Sequence, residues 1–155
     1  MNALVVYASR YGNTRKVAEA IAGALESRAT VTLLPVEEAP AVLPDGTDLL
    51  LVGGPTEGHR MTEAVQLFLE RLAPHAVRGM PAAAFDTRLH AARWLTGSAA
   101  AGIERELLRA GARLAAPAES FFVARDPVLL LPGELERAET WAAGLAGPAE
   151  VVAAR

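Results

Sequence analysis

Residues 4–25, LVVYASRYGNTRKVAEAIAGAL, constrain the fold of this chain more than any other stretch. Leu4 to Ala8 form an unbroken, partly β-branched apolar run, the pattern of a strand buried on both faces. The run ends in a small polar turn, Ser9-Arg10-Tyr11-Gly12-Asn13-Thr14. Apolar residues then recur at helical spacing, with Val17, Ile21 and Leu25 on one face. A strand that turns directly into a helix leaves the first helical N–H groups unpaired and aims the positive end of the dipole out of the turn. Such a turn suits an anion, and this one packs two hydroxyls, a glycine and an asparagine into six residues. Read blandly, Ser9 and Thr14 would only cap the helix.

The alternation repeats along the chain. Residues 30–34 read as an edge strand, 48–52 as a buried strand, and 81–85 as a fourth. A fifth comes in two pieces, 113–115 and 120–123, split by Pro117. The intervening helices carry Val65, Phe68, Leu69 and Leu72 after a Thr62 cap. The next carries Ile103, Leu107 and Ala110 after a cap at Thr96 or Ser98, and stops at Gly111. A last helix, from about Gly133 to Leu145, would turn Leu135, Ala138, Ala142 and Leu145 inward, with Trp141 in the core. Residues 1–147 are expected to form one domain and 148–155 a tail. Apolar residues make up 52% of the chain and aromatics only 5%, so the core must be built from Ala, Val and Leu, which suits helices on a parallel sheet. Right-handed crossovers and one nucleotide-type first turn predict the strand order 2-1-3-4-5. The crevice would then lie at the carboxyl ends of the strands. Loops beginning at Ser9, Gly53 and Asp86 would line it.

Several function classes are excluded. Without cysteine there is no disulfide, thiol nucleophile or thiolate metal site. No apolar run is long enough to span a bilayer, and the expectation is a cytoplasmic protein away from membranes. The 15 basic against 18 acidic residues leave a net charge of −3, which argues against nucleic-acid binding. A phosphoryl-accepting domain needs carboxylates at the strand tips, yet these strands end in Ala8-Ser9 and Gly53. The dinucleotide fingerprint and the Walker A loop are both missing. No nucleophile–base pair stands out, so no acid–base catalytic residue is expected. His59, His75 and His90 are scattered, and read most simply as solvated.

These residues resemble one family. SRYGNT resembles the phosphate loop of flavodoxins: Thr or Ser, any residue, Thr, Gly, Asn, Thr. GGPTEGHRM, at residues 53–61, is similar to the family's second loop. The stretch GELERA at 133–138, with Trp141, resembles the last helix of small actinobacterial-type flavodoxin family proteins. The resemblance implies a flavodoxin-like three-layer sandwich, with a five-stranded parallel sheet of order 2-1-3-4-5 and helices on both faces, binding FMN. Ser9 and Thr14 would donate to the phosphate, Asn13 would hold the loop, Gly12 would permit close backbone approach, and N–H groups from Arg10 to Arg15 would complete the cradle. Tyr11 departs from the family threonine. Pro55 and Thr56 would wall the isoalloxazine, and Gly58 or a neighbour would be the peptide that responds to reduction. Glu57, Gly58 and His59 stand where a ring-stacking aromatic is often found. Asp86, Thr87 and Arg88 would lie beside the pyrimidine edge. Trp94 would cover the flavin, or else lie over the domain's own helices. The implied function is electron transfer or a small FMN-dependent reductase, passing electrons to a redox partner protein or small-molecule acceptor, as a monomer or weak dimer. The alternative is a flavodoxin-like domain with weak or lost flavin binding that serves as an interaction module.

Overall fold

The computed structural model describes residues 1–72 and 76–146. The proposed 148–155 tail and His75 lie outside them.

The elements run β1 (Asn2–Tyr7), α1 (Asn13–Leu25), β2 (Thr30–Pro35), a single 3-10 turn (Val36–Glu38), β3 (Leu49–Pro55), α2 (Glu63–Arg71), β4 (Pro81–Leu89), α3 (Arg93–Thr96), α4 (Ala99–Arg109), β5 (Arg113–Leu114), β6 (Glu119–Val123) and α5 (Glu134–Ala146). All strand pairs are parallel, in the order β2-β1-β3-β4-β5, with β6 also on β4. β5 pairs with Pro81 and Ala82, and β6 with residues 85–89, so the two short strands share the fifth position. The expected order and the split around Pro117 are both found.

Side-chain alternation builds two cores, one on each sheet face. Val5, Leu51, Phe85 and Phe121 face α1 and α5 with Val17, Ile21, Ala138 and Ala142. Leu4, Leu50, Val52 and Ala84 face α2 and α4 with Val65, Phe68, Ile103 and Leu107. Trp141 is partly buried on the first core and meets Phe85 and Phe121 edge-on, with centroids 6.2 and 6.0 Å away. The Thr62 hydroxyl caps α2 by accepting from Val65 N. At α4 the cap is Ser98, which accepts from Ala101 N, while Thr96 closes the short helix α3.

Three expectations are corrected. Gly53, Gly54 and Pro55 are not a loop: they continue β3, in register with Phe85, Asp86 and Thr87. Gly53 is required there because a Cβ would sit 2.2 Å from the Phe85 ring. Asp86, Thr87 and Arg88 likewise belong to β4, since β3 on one side and β6 on the other extend the ladder. Leu135 is 37% exposed rather than inward, because α5 turns its Ala138–Ala142–Leu145 stripe to the sheet.

Candidate functional site

The turn after β1 has the geometry of an anion cradle. Gly12 sits at the head of α1 with φ 90°, and the first turn of the helix carries no acidic residue. The Ser9 hydroxyl accepts from Gly12 N at 3.2 Å and Arg15 N at 3.3 Å. Ser9 therefore caps the helix and keeps its own proton for a ligand. Among the described residues the N–H groups of Tyr11, Asn13 and Thr14 have no partner. The Asn13 side chain donates to Val128 O at 2.8 Å, tying the turn to the loop after β6. Thr14 is buried, and its hydroxyl lies 2.7 Å from that of Thr87. Tyr11 is 66% exposed and points no hydroxyl into the turn's hydrogen bonds; the Arg10 guanidinium lies over its ring at 5.5 Å. Arg10 also meets Glu57 at 3.4 Å, an exposed pair across the mouth of the turn.

Beyond Pro55 the chain makes a tight hairpin. Glu57 and Arg60 exchange backbone hydrogen bonds of 2.8 and 3.1 Å, and the two central residues, Gly58 and His59, have φ 55° and 71°. A two-residue mirror-image turn requires such angles, and His59 tolerates them only because its surroundings hold it. His59 Nε2 is 3.0 Å from Leu95 O, and Gly97 lies directly against the His59 backbone.

Asp86 is not in the crevice. It is fully buried, and its Oδ2 accepts from Thr56 Oγ1 (3.1 Å), Ser98 Oγ (2.7 Å) and Ala100 N (2.9 Å), while Oδ1 has no partner. The carboxylate thus joins the β3 loop to the head of α4. Arg88 is half-buried and braces the next segment, donating from Nε to Ser120 Oγ (2.9 Å) and from Nη1 to Ala91 O (2.8 Å) and Thr96 Oγ1 (3.0 Å). Its guanidinium lies over Phe122, against which His90 stacks at 4.5 Å. Trp94 covers nothing: it is 82% exposed on α3.

Two adjoining cavities occupy this edge. One of about 80 Å³ is bounded by the first turn together with Pro55, Thr56, Glu57 and Thr87. A larger one, about 760 Å³, lies between the β3 hairpin and the segment after β4, against His59, Arg88, His90 and Arg125. Thr56 and Val123 border both. The larger cavity does not touch the anion turn.

A polar cluster ties the start of α5 to β6. Glu134 accepts from Phe122 N at 2.7 Å and pairs with Arg137, which also meets Glu119 at 3.0 Å and donates to Ser120 O. Burial pushes the Glu134 carboxyl upward, but hydrogen bonds from Arg137 and Phe122 N, with the Arg137 and His90 charges, outweigh it and leave it below the usual range. The hydrogen bond that Arg137 donates to Glu134, opposed by burial and helped by Glu119, holds the Arg137 guanidinium above its ordinary range. The i,i+3 spacing of Glu134 and Arg137 is a sequence signal for a pair that was not among the expectations, whereas Glu119 and Phe122, on another element, leave no such signal.

Residues 4–95 match the family described as Flavodoxin domain, more than half of the chain. The chain belongs to the flavodoxin family. Among solved structures it is similar to flavodoxin 2 from Bacillus cereus, at 24% identity and a TM-score of 0.80 over 94% of this chain and 98% of that one. Oxidised flavodoxin 1 from the same organism gives 19% and 0.80, over 94% of this chain and 97% of the other. The flavodiiron core of Flv1 from Synechocystis gives 20% and 0.77, over 98% of this chain and 36% of that longer one. At these identities the likeness is one of fold. No curated protein matches the sequence. Within the family fold, the first turn, Pro55, Thr56, Glu57 and Thr87 converge on one crevice, whereas Asp86 and Trp94 of this flavodoxin-family chain stand apart from it. Among the described residues no helix is long and apolar enough to cross a membrane.

Proposed function

We propose that this flavodoxin-family protein binds FMN and works as a small electron-transfer flavoprotein, handing electrons to a partner protein or a small-molecule acceptor in the cytoplasm as a monomer or weak dimer. The observation that carries the reading is the set of unpartnered N–H groups at Tyr11, Asn13 and Thr14, at the head of a helix whose first turn holds no acid. The donor chemistry fits a phosphate. The adjoining 760 Å³ cavity is within the range of cofactor pockets and fits the ring of such a ligand in size. Bound FMN would supply the redox chemistry, the protein providing position and electrostatics.

In this reading Ser9 donates its hydroxyl proton to the phosphate, and Arg10, Arg15 and Lys16 add positive potential. Asn13 anchors the turn through Val128, and Thr14 is held in place by Thr87. Pro55, Thr56 and the Glu57–Gly58 peptide flank the ring. Arg88 acts indirectly, by bracing the segment that walls the larger cavity. No step calls for proton transfer by a side chain.

One observation favours the second reading, an interaction module with weak flavin binding: the Arg10–Glu57 pair spans the mouth of the turn. An exposed pair of this kind contributes little, about 0–1 kcal/mol, and yields readily to an anion. The deciding experiment is the visible spectrum of the purified protein, followed by titration of the apo-protein with FMN. Saturable binding, weakened at least about tenfold by Ser9→Ala, supports the FMN reading. A colourless protein that ignores FMN at high micromolar concentration leaves the interaction module.

A further inference from the structure

Trp94 is the most exposed large apolar side chain among the described residues, and Leu95 beside it is 53% exposed. Both stand on α3, a single turn with no buried residue. A helix of one turn does not persist by propensity alone. This one is braced from below by polar contacts: Arg88 reaches Ala91 O and Thr96 Oγ1, and His59 meets Leu95 O. The fold thus holds an apolar tip rigidly in water, where its own core gains nothing from it.

The charge around that tip is lopsided. The loops at the carboxyl edge of β1, β3, β4 and β6 carry Arg10, Arg60, Arg93 and Arg125, against Glu57 and Asp126. Glu57 is already engaged with Arg10, and among the described residues Arg60, Arg93 and Arg125 form no ion pair. The acidic pair Glu37 and Glu38 follows β2, beyond β1, where Glu37 borders α2. On a chain of net charge −3 this basic rim is a local feature and not a consequence of composition.

We propose that this edge docks an acidic protein surface, with Trp94 and Leu95 as the apolar anchor and Arg60, Arg93 and Arg125 as the steering charges. The inference rests on the electron-carrier reading, because the same edge opens onto the crevice. Rim cations act mainly on encounter and on salt dependence, whereas a tryptophan buried on docking carries much of the affinity.

The test uses the full chain as purified and reads binding, not electron transfer. Titration calorimetry at low salt compares a plant-type ferredoxin with an acidic face, a basic cytochrome c, and vesicles of equal parts phosphatidylcholine and phosphatidylserine. Saturable binding to the ferredoxin alone is expected, falling about tenfold from low to physiological salt. The double variant Arg60→Glu with Arg93→Glu should weaken it at least about tenfold, and Trp94→Ala comparably while leaving the salt dependence unchanged. Preference for cytochrome c, indifference to the charge reversals, or binding to the vesicles without binding to ferredoxin would overturn the proposal. Flavin content is read separately from absorbance. A colourless protein that binds ferredoxin upholds the surface and counts against the cofactor, and a yellow one that ignores ferredoxin does the reverse.

Discussion

The hydroxyls of Thr14 and Thr87 lie 2.7 Å apart, both residues buried, joining the anion turn to β4 across 73 positions of sequence. Removing one partner strands the other in the interior. Thr87→Val is expected to cost about 1–2 kcal/mol in urea unfolding, and the double variant Thr14→Val with Thr87→Val less than the sum of the two singles. Additive single losses would show that the bond contributes nothing as a pair.

Asp86 should act as a structural hub rather than a ligand. Asp86→Ala leaves the donors of Thr56, Ser98 and Ala100 unpaired and removes the acceptor at the head of α4. A loss of about 2–4 kcal/mol follows. Asp86→Asn keeps one acceptor and should lose less. Amide exchange at Ala100 is the local readout, and faster exchange in the alanine variant than in the asparagine variant is the expected order.

Gly97 has φ 70°, and a Cβ there would lie 2.1 Å from His59 O. Gly97→Ala therefore combines a strained backbone with a collision that no side chain can relieve. We expect at least about 2 kcal/mol of destabilisation, and an NMR shift of the His59 ring as its contact with Leu95 O breaks. An unmoved His59 resonance in a stable variant would refute the clamp.

The Glu134 carboxyl is held below the usual range when folded, so the unfolded chain binds the additional proton on acidification. Its stabilisation is present above the unfolded carboxyl range and is lost as pH falls through the folded value. Glu134→Gln should lower the unfolding midpoint most near pH 7, and the difference should shrink toward about pH 3. A gap independent of pH would assign the effect to packing.

Much of this was legible along the chain. The β1–turn–α1 unit, the caps at Thr62 and Ser98, and the inward stripe at Val17, Ile21 and Leu25 depend on neighbours within a turn or two of helix, which periodicity and capping chemistry report directly. The strand order followed from the alternation of elements.

Where strands end, and where polar side chains go, was decided by tertiary structure. Gly53 and Gly54 look like a turn in isolation, but pairing with Phe85 and Asp86 carries β3 through them, because a ladder extends as far as its partners offer hydrogen bonds. The same extension turned Asp86 away from the crevice to the head of α4 and brought Thr87 to Thr14. Trp94 was placed by the brace beneath α3, not by its own hydrophobicity. Short-range pattern along the chain sets the local units and the order in which they stack. Only the assembled sheet, whose contacts join residues tens of positions apart, determined which of the polar residues face a ligand.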